Sequence, residues 1–199
     1  MRGIVALHAA DLTENAVQLT RRRLECYGLD ASLTLQNAES MTFPDAHFDH
    51  VNCQGVIHHT PDTEATIAEI ARVIKPGGTA SISVYYRNLF LRLWPYIRWV
   101  GIPLAKLGGG LRGRGRENIF LESSPDEIVR LYDGSENPIG KSYSKKQFIE
   151  ILSKHFSVDE TYLHFFPARS LPFRLPTRIH KWLDRTLGFM IYASIRRPE

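Results

Sequence analysis

The sequence predicts a mixed α/β domain built on a mostly parallel sheet. Short apolar runs at residues 4–10, 48–53 and 79–86 have the length and content of buried strands. Between the last two lies segment 61–74, where Ala65, Ala68, Ile70, Ala71, Val73 and Ile74 recur near helical spacing. Strand, helix and strand in that order make a crossover, and a crossover joins parallel neighbours of one sheet. The chain has 199 residues, 43% of them hydrophobic, which is enough for one core, so a single domain over 1–199 is expected.

In chain order, residues 4–10 read as a strand bounded by Gly3 and Asp11. Thr13 then caps a helix whose Ala16, Val17, Leu19, Thr20 and Leu24 form the inner stripe, and Gly28 ends it. Looser alternation makes 32–36 a further strand. The helix of 61–74 starts at Asp62-Thr63 and cannot pass Pro76; Gly77-Gly78 allow the reversal into strand 79–86. Ser124-Pro125-Asp126-Glu127 opens another helix, and residues 131–140 read as a loop. Ser144-Lys145-Lys146-Gln147 is a capping box ahead of Phe148, Ile151 and Leu152. Residues 158–166 and 187–195 read as two final strands.

Composition narrows the class. Charged residues at 23% and aromatics at 11% exclude a disordered chain. Cys26 and Cys53 lack zinc-ligand spacing and suit a reducing compartment. The apolar run after Met1-Arg2 is too short for a secretory signal, and no run of 18 apolar residues occurs, so a cytoplasmic address is expected. Charge is unevenly spread. Residues 1–85 carry 6 Lys and Arg against 10 Asp and Glu, whereas residues 86–199 carry 19 against 11. From Arg87 to Arg116 there are seven basic residues and no acid, interleaved with Phe90, Trp94, Tyr96 and Trp99. That stretch reads as an amphipathic lid or a peripheral membrane contact, or as a plain amphipathic helix followed by a basic loop. Nucleic-acid binding is not expected, for no reading motif accompanies the charge.

One linked string carries a family resemblance: Asn37-Ala38-Glu39, Phe43-Pro44-Asp45, Phe48-Asp49, Gly55-Val56-Ile57-His58-His59, then Arg72-Val73-Ile74-Lys75-Pro76-Gly77-Gly78. In this order it resembles the second half of a class I S-adenosylmethionine-dependent methyltransferase of the small-molecule branch. The resemblance implies a Rossmann-like fold with helices on both faces and an antiparallel carboxy-terminal strand pair. It also implies S-adenosyl-L-methionine as cofactor and methyl transfer to a small or amphipathic acceptor. Residues 4–86 would be the cofactor-binding core, 87–143 a lid or insert selecting the acceptor, and 144–199 the closing helix and strands.

Site residues follow position by position. Asp11, with Leu12 beside it, ends the first strand where the cofactor's ribose would lie, and a carboxylate there can accept both diol protons; a helix-capping role is the alternative. Asn37 stands where the family usually has Asp, and with Ala38 would meet the adenine; an Asx-turn role competes. Gln54 would line the methionine end beside Gly55. His58 and His59 are the catalytic candidates, as a base or as groups orienting a nucleophile, with a turn-forming role as the alternative. No metal site is expected, since no acid lies near the pair at ligand spacing. Asp133, Asn137 and Tyr143 would sit near the substrate mouth.

The family's glycine-rich turn after its first strand has no counterpart: no G-x-G occurs in residues 1–36. The resemblance therefore implies that the first strand is missing, leaving a gap between strands 4–10 and 48–53 and weakened cofactor binding. The second reading is accordingly a non-catalytic remnant acting through protein or membrane-surface contacts. A nicotinamide-dependent oxidoreductase comes third, because it needs the same glycine turn. Oligomeric state is not readable.

Overall fold

The computed structural model describes residues 6–106, 119–134, 137–168, 171 and 174–199. Its strands are β1 (His8–Asp11), β2 (Ser32–Leu35), β3 (Phe48–Gln54), β4 (Ile74–Tyr86), β5 (Ser142–Tyr143), β6 (Ser157–His164) and β7 (Met190–Arg196). The helices are α1 (Glu14–Cys26), α2 (Thr63–Val73), α3 (Leu89–Lys106), α4 (Pro125–Asp133), α5 (Lys145–Leu152) and α6 (Thr177–Leu187).

The first four strands form two parallel pairs. β1 lies beside β2, with α1 as the crossover, and β3 lies beside β4, with α2 as the crossover. β7 enters antiparallel against β4, and β6 runs antiparallel to β7, giving the order β3-β4-β7-β6 with β5 parallel to the end of β4. Both the parallel crossover and the antiparallel carboxy-terminal pair agree with the expected architecture. Among the described residues no strand joins β1–β2 to the larger sheet. A ring cluster spans the interval: His8 at the start of β1 sits 5.3 Å from Phe48 at the start of β3, with Phe43 and His47 around them.

Register sorts the large sheet into an apolar and a polar face. Val51, Ala80, Ile195 and Val158 are cross-strand partners, as are Cys53, Ile82 and Ala193. This face packs under Ile67 and Ile70 of α2 and Phe148 and Leu152 of α5, and Ile67, Ile82, Leu152 and Ile191 are wholly buried. Each such side chain contributes roughly 1.5–3 kcal/mol of transfer free energy. The opposite face carries the rows Asn52, Ser81, Ser194 and Gln54, Ser83, Tyr192, Tyr162. A second cluster, with Leu91 and Trp94 of α3 and Ile128 and Val129 of α4, closes over Tyr85 and Met190.

Several boundaries differ from the sequence reading. β1 starts at His8 and includes Asp11, while Ile4 and Val5 lie outside the described residues. β4 begins at Ile74, yet its register jumps from Phe48–Ile74 to His50–Thr79, so Pro76-Gly77-Gly78 loop out as a bulge and do not reverse the chain. Residues 131–133 form the last turn of α4, not loop. Leu187, expected to open the last strand, instead ends α6, a helix the sequence reading does not include. Gly188 follows it because a Cβ there would lie 2.5 Å from the Asp184 carbonyl oxygen. α3 holds Pro95 and Pro103 within one helix. The basic glycine-rich part of the expected lid, 107–116, lies outside the described residues.

Candidate active site

The candidate residues gather at the carboxyl ends of the parallel strands. Asp11 closes β1, pairs across to Leu35, and accepts from Gln36 N–H through its own carbonyl at 2.9 Å. Asp11 and Asn37 therefore stand on adjacent strand ends, and both are exposed. One carboxylate oxygen of Asp11 accepts from the Thr13 amide at 2.9 Å and the Thr13 hydroxyl at 3.0 Å. Thr13 in turn caps α1 by accepting from Ala16 N–H. The cap of α1 is thus Thr13 and not Asp11, whose carboxylate braces the cap residue through one of two oxygens that each accept more than one bond. Asn37 Oδ1 accepts from Glu39 N–H at 3.0 Å, which is an Asx turn, and a bridge to Ser40 closes it. Leu12 is largely exposed and Ala38 half-buried.

The loop after β2 is tied to α2. Glu39 accepts from Asp62 N–H at 2.6 Å, and Glu69 accepts from Met41 N–H at 2.8 Å. Arg72 binds Glu69, Asp45 and the carbonyls of Phe43 and Met41 together. The arginine of the Arg72-Val73-Ile74 string is thus the clamp that sets the loop between Asn37 and β3.

Gln54 ends β3, exposed, and Gly55 takes the left-handed φ of 74° that turns the chain into a 3₁₀ turn, Ile57–His59. Here the structure assembles a group that is scattered in sequence. His59 Nδ1 lies 2.7 Å from the Ile139 carbonyl, its Nε2 lies 3.0 Å from Asp133 Oδ2, and the Asn137 amide lies 3.0 Å from Nδ1. Tyr85 donates its hydroxyl to Asp133 Oδ1 at 2.6 Å. His58 is buried, its ring 4.1 Å from that of His59 and 4.6 Å from that of Tyr85.

Burial, helped by the neighbouring His59, pulls His58 down to about 3, so it is neutral at ordinary pH. Burial also opposes charge on His59, but the hydrogen bonds to Asp133 and the Ile139 carbonyl, with the Asp133 charge, outweigh it and raise the group. For Asp133 burial pushes upward, and the bonds from His59 and Tyr85 overcome it and hold the carboxyl low.

Of the residues expected at the substrate mouth, Asp133 and Asn137 meet His59, and Tyr143 shares a 2.8 Å hydrogen bond with Thr63 at the start of α2. Asp126 fixes this wall, accepting from Ser142 N–H at 2.8 Å and from Arg87 at 3.1 Å. Tyr85 was not anticipated: the alternation within β4 is visible, but which face meets the histidines is decided by register.

Comparisons with known proteins agree with this architecture. Residues 2–82 match the methyltransferase domain family. The ubiquinone biosynthesis O-methyltransferase of Azoarcus sp. is 39% identical over 147 residues, covering 67% of this chain and 60% of that protein. The ubiquinone/menaquinone biosynthesis C-methyltransferase UbiE of Psychromonas ingrahamii is 26% identical over 130 residues, 64% of this chain and 50% of that one. The chain thus spans 50–60% of the length of these relatives. In fold it is similar to a SAM-dependent methyltransferase from Methanosarcina mazei, with TM-score 0.61, 18% identity, and coverage of 97% of this chain and 82% of that one.

The match over residues 2–82, together with the fold, is that of a class I S-adenosylmethionine-dependent methyltransferase domain. S-adenosyl-L-methionine is the cofactor that this family and fold imply. The residues present fit it in kind: an exposed carboxylate able to accept from a diol, an exposed amide on the adjoining strand end, and a left-handed glycine whose bare backbone leaves room for a ligand.

Proposed function

We propose that this chain carries out S-adenosylmethionine-dependent methyl transfer to a small amphipathic acceptor of the quinone or phenol class. The observation that carries the reading is the family match over residues 2–82, the span that places Asp11, Asn37 and Gln54 at strand carboxyl ends. The acceptor class is suggested by the names of the relatives, two of which belong to ubiquinone or menaquinone biosynthesis.

In this reading Asp11, with Leu12, holds the ribose, and Asn37, with Ala38, holds the adenine. Gln54 and the Gly55 backbone border the methionine end. The cofactor supplies an already electrophilic methyl group. The chain's task is then to align a nucleophile and exclude water. His58 and His59 border the acceptor side and orient it, while the 87–143 segment forms its wall through α3, α4 and β5. Incubation with methyl-labelled S-adenosylmethionine and a catechol-type acceptor tests this directly. Label should move to the acceptor, and should do so far more slowly in Asp11→Ala. No transfer to any phenolic or quinol acceptor offered would favour the non-catalytic reading.

A membrane-surface contact belongs to the same proposal. α3 is apolar on both sides: Leu91 and Trp94 are buried, while Leu89, Leu93, Tyr96, Trp99 and Val100 are exposed at helical spacing. Arg98 lies over the Trp99 ring at 4.9 Å. An exposed aromatic stripe in the basic part of the chain suits an anionic lipid surface, where such an acceptor would be met.

A further inference from the structure

We infer that His58, His59 and Asp133 form a binding site for a divalent transition-metal ion of the zinc type. Among the described residues these three bring one ligand atom each to within 4.8 Å of one another. The inference uses the same cluster as the acceptor wall but does not depend on methyl transfer.

The arrangement of protons supports it. His58 is buried, and its Nδ1 has no hydrogen-bond partner. With its proton on Nε2, neutral His58 keeps a lone pair at this unpartnered Nδ1. His59 gives Nδ1–H to the Ile139 carbonyl at 2.7 Å, which turns the lone pair of its neutral form at Nε2 toward Asp133. Asp133 takes the Tyr85 hydroxyl on Oδ1 and presents Oδ2. Two imidazole lone pairs and a carboxylate oxygen thus converge. His59 and Asp133 are held from behind by the Ile139 carbonyl and the Tyr85 hydroxyl, as metal-bound histidines and carboxylates are. A buried acceptor without a donor is rare enough to need an explanation, and a cation provides one.

Without metal, a proton lies between His59 Nε2 and Asp133 Oδ2, which are 3.0 Å apart. A tetrahedral zinc with bonds near 2.0 Å would hold its ligands about 3.3 Å apart, so the ion can replace that proton with little change in this pair. The side chains of His59 and Asp133 are 24% and 34% exposed, which leaves an open side for water or an oxygen ligand. Two nitrogens and one oxygen suit zinc, cobalt or nickel over calcium or magnesium. The carboxylate is invisible to spacing rules because it arrives from α4, far along the chain. The other histidine–carboxylate group, His164, His180 and Asp184, differs: its contacts are 3.7 Å, and Asp184 already accepts from Phe166 N–H at 2.6 Å.

The test uses untagged, chelator-treated full chain titrated with zinc by calorimetry and with cobalt by visible absorption. One equivalent should bind, with cobalt bands of a four- or five-coordinate site, and the melting temperature should rise. Asp133→Asn and His58→Gln should each weaken zinc about tenfold or more, whereas His180→Ala should leave it unchanged. Absence of saturable binding, or equal affinity in all three variants, would overturn the inference. Should a variant not fold, histidine ring resonances of the wild-type chain decide: zinc must shift those of His58 and His59 and spare His164 and His180, and the reverse pattern sinks the proposal. None of these readouts involves methyl transfer, so failure here leaves the proposed activity standing.

Discussion

Gly77 and Gly78 are adjacent, yet the structure needs them for different reasons. A Cβ on Gly78 would lie 2.6 Å from Ile74 Cγ2 and 3.1 Å from the Asp49 carbonyl, inside the bulge where β4 rejoins β3. Gly78→Ala should therefore cost about 1–3 kcal/mol through overpacking. Gly77 has open space around it but a φ of 72°, so Gly77→Ala should cost about 1–2 kcal/mol and Gly77→Asn much less. Urea denaturation separates them: equal losses for Asn and Ala at 77 would contradict the backbone explanation. At Asp11, Asp11→Asn retains an acceptor for the Thr13 amide but loses the charge. It should keep α1 intact and weaken S-adenosylmethionine by about 1–3 kcal/mol. Unchanged affinity by calorimetry would leave Asp11 only its bonds to Thr13.

Two elements have fates that can be read from their contacts. α2 is anchored at its start by Asp62, which accepts from Ala65 N–H at 3.0 Å, and at its end by the Arg72 clamp. Hydrogen bonding from Arg72 holds Glu69 below the ordinary glutamate range, against a smaller opposing effect of burial. A carboxylate lowered in the folded state contributes stability above its unfolded pKa and loses it as pH falls through its folded value. Melting temperature should thus fall less between pH 6 and about pH 3 in Glu69→Gln than in the parent chain; a parallel fall would refute the role of this pair. α3 presents the second case. Replacing Tyr96 and Trp99 together by Ser should abolish sedimentation with phosphatidylglycerol vesicles while leaving stability nearly unchanged, since both side chains are exposed. Retained sedimentation would remove α3 from the membrane proposal.

For the molecule as a whole, burial is uneven. The β3-β4-β7-β6 sheet with α2 and α5 holds the main core, whereas the described part of β1, α1 and β2 buries only Val17 fully. Leu12, Leu19, Tyr27, Leu29 and Leu35 are exposed there. Local opening follows the density of buried contacts, so amides of β1, α1 and β2 should exchange with deuterium well before those of β4 and β7. Simultaneous exchange of both regions would indicate one cooperative unit and contradict the two-part packing.

How much of this was legible in sequence depends on range. Local signals sufficed for α1, α2 and α5, because Thr13, Asp62 and Ser144 cap their helices through bonds to amides three residues on. The parallel crossover of β3 and β4 followed from an apolar run, a helix and another apolar run. The linked string from Asn37 to Gly78 sufficed for the family. α6 stayed hidden although Ile179, Trp182, Leu183 and Leu187 recur at helical spacing, because Leu187 also continues into the apolar run of 189–195 and was read with that strand. The bulge at 75–78 looked like a reversal because proline and glycine serve both, and only pairing with β3 distinguishes them. The site divides the same way. His58 and His59 were visible as neighbours, whereas their surroundings were not. Asp133 reaches His59 only because α4 packs over Tyr85, and Tyr85 meets His58 only because of the β4 register. Residue type and spacing determined which chemistry was available, while long-range packing decided which atoms face each other.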